Sequence, residues 1–234
     1  MNLEEAWRYN EDADIKLLCL RLFAHQQRAR LLPAAVGGSV VRLGELLPCL
    51  ADHAAALGQL VVRLAANHVV RAEALSEPVL PDTLLGLLSR SSALLPFAAI
   101  NKDKTSYADS ILLLELDAPA PPACCPANVA AGERVERRYK EIAPQHQKML
   151  AVLIQSKHHG GPSAPSEAFG KEYAKCIDTP IPFVFILISD APTVAHQQHI
   201  TWPYNGNGFF VGRNELHHFY GEVLCGIRAE AWLE

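Results

Sequence analysis

KMLAVLIQSKHHGGPSAPSEAFGKEYAKCIDTPIPFVFILIS, residues 148–189, divides into strand, loop, helix and strand. KMLAVLIQSK (148–157) is an apolar run that ends in polar residues, the pattern of a strand buried on both faces. HHGGPSAPS (158–166) has the Gly and Pro content of a loop. EAFGKEYAKCI (167–177) reads as a helix with Ser166 as its cap. PIPFVFILIS (180–189) is a second buried strand. Parallel neighbours need a crossover, usually a helix, so this order predicts an α/β fold with an at least partly parallel sheet covered on both faces.

Upstream, the polar turn NKDKTSY (101–107) leads into ADSILLLEL (108–116), a third strand with a continuous apolar centre. DAPAPPACCPA (117–127) is neither helix nor central strand, because its prolines lack donors and restrict their neighbours. It is expected to be a linker or long loop and the least ordered part of the chain. GERVERRYKEI (132–142) reads as a charged helix closed by Pro144. Downstream, FFVGRNELHHFYGEVL (209–224) reads as a short strand and a helix capped at Asn214. Residues 3–75 read as helical: Ile15, Leu18 and Leu22, then Leu43, Leu46, Leu47 and Leu50, then Leu57, Leu60, Val61 and Leu64 recur at helical spacing. A short helix follows from Asp82 to Ser89. The expected division is an α-helical region over 1–90 and an α/β core over 91–234 with a Pro-rich loop at 117–128.

Composition sets the class. The chain has 234 residues, 50% of them hydrophobic, and a net charge of −4, enough for one sizeable core and too apolar for disorder. Residues 1–118 carry 11 Lys+Arg against 14 Asp+Glu and residues 119–234 carry 10 against 11, so neither half grips nucleic acid by charge alone. The longest apolar run, 180–189, is about half the ~18 residues of a membrane span, and no membrane partner is expected. The acidic opening MNLEEAWRYNEDAD is neither a secretory signal nor a transit peptide. The six cysteines are scattered without a C-x-x-C pair, as in a reduced thiol set. An intracellular chain, cytoplasmic or nuclear, is the expectation.

One constellation carries chemistry. Asp109 heads the strand ILLLEL, and Gln155-Ser156-Lys157 ends AVLIQSK. Positions i and i+2 of a strand share a face, so Gln155 and Lys157 project together while Ser156 points away. If the two strands are neighbours, Asp109 converges on that side. An acid, a second oxygen ligand and a lysine suit metal-assisted phosphodiester hydrolysis. A hard cation, Mg2+ or Mn2+, would take the Asp109 carboxylate, the Gln155 amide oxygen and the Ser156 main-chain carbonyl. It would polarise the phosphate and acidify a water, and Lys157 would orient that water or stabilise transition-state charge. His158 and His159 are candidates for phosphate contact. Plainer readings stand beside these: Asp109 as a turn cap, and Lys157 as a solvated strand-end lysine. Asp117 and Glu115 are alternative acids.

NKDKTSYADSILLLEL, AVLIQSKHH, a helix and FVFILISD together resemble the PD-(D/E)xK restriction-endonuclease-like core, in its variants with Gln before x-Lys. The resemblance extends to nuclease-like domains of crinkler-type effectors and of retrotransposon hot spot proteins, over roughly residues 58–224. It implies a mixed central sheet flanked by helices, with Asp109, Gln155 and Lys157 as site residues. It also implies metal-dependent cleavage of DNA, or a non-catalytic interaction module on a decayed nuclease fold that binds a protein through the N-terminal helices. The family often carries a Glu on the first core helix. GQLVVRLAANH (58–68) is expected to be that helix and has Val62 in the Glu position, with Glu73 and Glu77 as substitutes in another register. Other chemistries lack their signatures: there is no G-x-S-x-G, H-E-x-x-H or P-loop motif. His196-x-x-His199 and His217-His218 are left as loop and helix-surface histidines.

Overall fold

The structure, a computed structural model, describes residues 3–31, 39–50, 55–65, 69–91, 95–101, 107–125, 132–157, 165–189, 207–212 and 216–221. A long helix, α1 (Leu3–Arg30), is followed by β1 (Ser39–Arg42), α2 (Leu43–Leu46), α3 (Ala55–Gly58), β2 (Val61–Leu64), β3 (Ala72–Ala74) and α4 (Leu84–Ser91). Next come β4 (Phe97–Ile100), β5 (Ser110–Leu116), α5 (Gly132–Glu141), β6 (Met149–Lys157), α6 (Pro165–Ala174), β7 (Phe183–Ser189), β8 (Gly208–Val211) and α7 (Leu216–Tyr220). The class is the expected one, α/β with a mixed central sheet flanked by helices, opened by a long N-terminal helix.

The eight strands form one sheet in the order β1-β2-β5-β6-β7-β8, with β3 joined through β4. The β5–β6 pair is antiparallel, while β6, β7 and β8 run parallel. One edge of β5 is taken by β6. The other is shared, β4 pairing with Ser110–Leu113 and β2 with Glu115 and Leu116. β6 and β7 are bridged by α6, which supplies the crossover a parallel pair needs.

Alternation along each strand builds two cores. Leu112, Leu114, Val152, Ile154, Val184 and Ile186 face α1, where Ile15, Leu18 and Leu22 form the buried stripe. Ile111, Leu113, Ala151, Leu153, Phe185 and Leu187 face α4 and α6, meeting Leu84, Leu88, Phe169 and Tyr173. Every residue of β7 is buried, which explains its unbroken apolar run. Each Val, Leu, Ile or Phe side chain so taken out of water contributes about 1.5–3 kcal/mol. Arg21 locks α1 to its neighbours by donating to the Leu46 carbonyl at 2.9 Å and to the Phe219 carbonyl.

Three expectations are corrected. The helical reading across 3–75 holds for α1 and the short α2 and α3, whereas β1, β2 and β3 join the sheet. GQLVVRLAANH is therefore not a core helix. Val62 and Leu64 point inward and Arg63 outward, a period of two that the coincident spacing of Leu57, Leu60, Val61 and Leu64 conceals. The Pro-rich stretch is packed where it is described: Ala120, Cys124 and Cys125 are buried, and Ala120 donates its N–H to the Gln147 carbonyl at 2.8 Å.

Candidate active site

The β5–β6 register pairs Ser110 with Ile154, so the residue before β5, Asp109, comes opposite Gln155. The backbone at Asp109 is braced by Asn101, which is buried. Its side chain donates to the Ala108 carbonyl at 2.8 Å, and exchanges bonds with Val79 N–H (2.8 Å) and Val79 C=O (3.1 Å). The Asn101 main-chain N–H donates to the Asp109 carbonyl at 2.7 Å. A buried amide with all these groups satisfied holds the backbone in one place.

Asp109 then receives two donors on one oxygen. Gln155 Nε2 lies 2.5 Å from Asp109 Oδ2 and the Ser156 N–H lies 2.9 Å from it. Two residues on along the same face, Lys157 Nζ sits 2.6 Å from Glu172 Oε1. The other Glu172 oxygen pairs with the ammonium of Lys175. Glu172 is on α6, whose Phe169 and Tyr173 rings pack against Phe185 at 5.4 and 5.7 Å between centroids. That packing turns Glu172 inward with them.

Electrostatics separates the two carboxylates. Burial pushes Asp109 up to about 6, although the Ser156 N–H and the Gln155 amide favour its anion. Nearby Glu172 raises it further and Lys175 lowers it. Burial also works against the Glu172 anion, but hydrogen bonds and charge from Lys157 and Lys175 outweigh it and hold Glu172 below the usual carboxylate range.

Ser156 faces the other way. Its hydroxyl donates to Asp14 Oδ2 at 2.6 Å, and the Tyr220 hydroxyl donates to Asp14 Oδ1. Asp14 is fully buried on α1. A strand residue sends its N–H and C=O to the same edge, so the Ser156 carbonyl leaves β6 on the Asp109 side.

The structure thus joins Asp109 to Gln155, with Lys157 on the same face but tied to Glu172. His158 and His159 lie outside the described residues, as do His196, His199 and Asn214. Glu115 and Asp117, the alternative acids, stand at the far end of β5, paired with Arg63 at 3.8 and 2.9 Å. Glu73 and Glu77 line a separate open cavity of about 480 Å³ with Val79, Leu87, Arg90 and Phe97. His217 is exposed on α7.

Glu172, Lys175 and Asp14 are additions that the sequence reading missed, and two of them carried a signal. Phe169, Tyr173 and Cys176 form a helical apolar stripe, and Glu172 falls on it at i+3 of Phe169. Asp14 sits beside Ile15 and four residues before Leu18, on the stripe of α1. An acid on an apolar stripe demands a partner. Among the described residues, no group of three or more His, Cys, Asp or Glu side chains could hold a metal ion, and no helix is long and apolar enough to cross a membrane. No protein-family model, no curated protein and no solved structure matches the chain.

Proposed function

We propose that the chain is a metal-dependent phosphodiesterase acting on DNA, a nuclease or nuclease-derived domain of restriction-endonuclease-like type. One observation carries this reading: Asp109 is hydrogen-bonded to Gln155 and to the Ser156 N–H at the ends of two paired strands, with Lys157 on the Gln155 face. That is the arrangement the Asp…Gln-x-Lys spacing requires.

The donor set is all oxygen, which suits a hard cation. Asp109 would hold it, with the Ser156 carbonyl and the Gln155 amide oxygen as further donors. Among the described residues both hydrogen bonds to the Asp109 carboxylate fall on Oδ2, leaving Oδ1 for a ligand. Gln155 must turn its amide over to offer oxygen, and so give up its bond to Asp109. When bound, Mg2+ or Mn2+ would supply Lewis-acid polarisation of the scissile phosphate and a more acidic water. Asp109, raised to about 6, is chiefly anionic at neutral pH and protonated below it, so ligation strengthens as pH rises through that value. Lys157 has three donors. It is ion-paired with Glu172 and keeps donors that can meet a phosphate oxygen.

A second reading, a non-catalytic protein-interaction module on a decayed nuclease fold, is favoured by a different observation. Lys157 is already ion-paired with Glu172, and Asp109 is already hydrogen-bonded to Gln155 and the Ser156 N–H. Leu20 and Phe23, exposed on α1 at 64% and 38%, would then serve a protein partner. Plasmid nicking with Mg2+ or Mn2+ separates the two. Cutting that disappears in both Asp109→Ala and Lys157→Ala supports the nuclease. A folded wild type that neither cuts nor binds Mg2+ by calorimetry supports the module.

A further inference from the structure

Glu172 is 1% exposed and shared by two lysines, one on each carboxylate oxygen, whereas Lys157 and Lys175 are 37% and 29% exposed. Two ammonium charges against one carboxylate leave the trio with one surplus positive charge. We infer that Lys157 and Lys175, anchored on the buried Glu172, form a seat for a phosphate group, in which Lys175 contacts the phosphate and Glu172 positions both lysines. The inference rests on the nuclease reading only for the source of that phosphate.

The chemistry follows from the anchors. A lysine ammonium has three N–H donors and no acceptor. Lys175 donates one to Glu172, Lys157 pairs with it by charge, and both keep donors at the partly open surface. Lysine recognises phosphate as a point charge, through charge-assisted hydrogen bonds. Its usual cost is the lost rotamer entropy of freezing a long flexible stem. Here the buried carboxylate has already fixed both stems, so a phosphate meets a preorganised pair. Glu172 itself is held by α6 packing, since Phe169 and Tyr173 on either side of it are buried against β7. Lys175 also lies within electrostatic reach of Asp109, whose affinity for its proton it lowers. The seat therefore adjoins the proposed working group and is not an isolated surface pair.

The test uses the full chain and inorganic phosphate, followed through the lysine Cε signals by NMR. Saturable shifts of the Lys157 and Lys175 signals with one common Kd are expected. Lys175→Met and Lys157→Met should each weaken binding about tenfold, the size of one lost charge-assisted bond. Lys175→Arg should retain binding. Lys171→Met, which removes an exposed charge from the same helix, should leave it unchanged. Circular dichroism establishes that each variant is folded. Absence of saturable binding at about 10 mM phosphate, or equal weakening by Lys171→Met, overturns the seat.

A second arm replaces phosphate with a short DNA duplex. The same variant pattern identifies DNA as the source and predicts a raised KM with little change in kcat for Lys175→Met. Phosphate binding without DNA binding or cleavage keeps the seat and defeats the nuclease reading. DNA cleavage indifferent to Lys175, with no phosphate binding, does the reverse.

Discussion

The Ser156 hydroxyl lies 2.6 Å from Asp14 Oδ2 on one face of the sheet, while the N–H of the same Ser156 lies 2.9 Å from Asp109 on its edge. A single residue thus ties the N-terminal helix to the strand that carries Gln155 and Lys157. Tyr220 completes the contact by donating to the other Asp14 oxygen, which brings α7 to the same point. The polar atoms are buried, so each bond is costly to lose although modest to form.

Ser156→Ala should therefore destabilise the fold by about 1–3 kcal/mol, because a buried carboxylate loses a donor. Tyr220→Phe should act in the same direction. The pair should be non-additive, since both serve one carboxylate. Urea unfolding of the two single variants and the double variant measures this. A change under about 0.5 kcal/mol for Ser156→Ala, the size of an ordinary surface substitution, would mean that water replaces the hydroxyl.

Asp109 and Glu172 should impose opposite pH dependences on stability. Asp109 is raised from 3.8 to about 6 by burial, so between these values the folded chain binds more protons than the unfolded one. Stability from this group falls as pH rises through that window and is level above it. At 1.36 kcal/mol per pKa unit the cost at neutral pH is about 2–3 kcal/mol. Asp109→Asn should be the more stable protein at pH 7, with the gap closing below about pH 4. Glu172 is held low against burial by its two lysines. Its contribution is present above the ordinary carboxyl range and fades as pH falls below it. Glu172→Gln should be the less stable protein at pH 7, with that gap narrowing on acidification. Denaturation curves for the three proteins across this range decide the matter; parallel curves would remove the assigned electrostatics.

The elements that were legible are those whose local pattern has no competitor. β6, α6 and β7 follow from two fully apolar runs joined by a capped helical stretch, and each lies within a few residues of its expected span. The β2 strand was not legible, because Leu57, Leu60, Val61 and Leu64 satisfy a helical period while Val62 and Leu64 also satisfy a strand period. Pairing with Glu115 and Leu116, more than fifty residues away, selects the strand, and no local window contains that partner. The site divides similarly. Asp109 and Gln155 were found through strand ends, but Lys157's partner was hidden on α6, where Glu172 reads as one more helix-surface acid until its stripe is drawn. Asp14 escaped for the same reason, being 142 residues from Ser156.

Thiol reactivity offers a check on the two cores. Cys19, Cys49, Cys124, Cys125 and Cys176 are free and buried. Burial pushes the Cys19 and Cys125 thiols up to about 11 and Cys49 up to about 12, and raises Cys124 and Cys176 as well. The thiolate is the reactive form, so at pH 8 these five should resist a disulfide reagent in the native chain and react together on unfolding. Native-state labelling of Cys124 or Cys125 would show that the Pro-rich stretch opens from the core.

Asn101 should control the acidity of Asp109 through the backbone it braces. Its side chain satisfies Val79 N–H, Val79 C=O and Ala108 C=O, and its N–H bonds the Asp109 carbonyl. Asn101→Ala orphans buried groups and should cost about 2–4 kcal/mol. The more specific consequence follows from burial being the main cause of the high Asp109 value. Backbone loosened at Ala108 and Asp109 admits water to the carboxylate, so Asp109 in Asn101→Ala should titrate closer to an ordinary aspartate. Carboxyl-carbon NMR of Asp109 reads this directly. If Asp109 still titrates near 6 in a folded Asn101→Ala protein, β6 and α6 enclose it without help from Asn101.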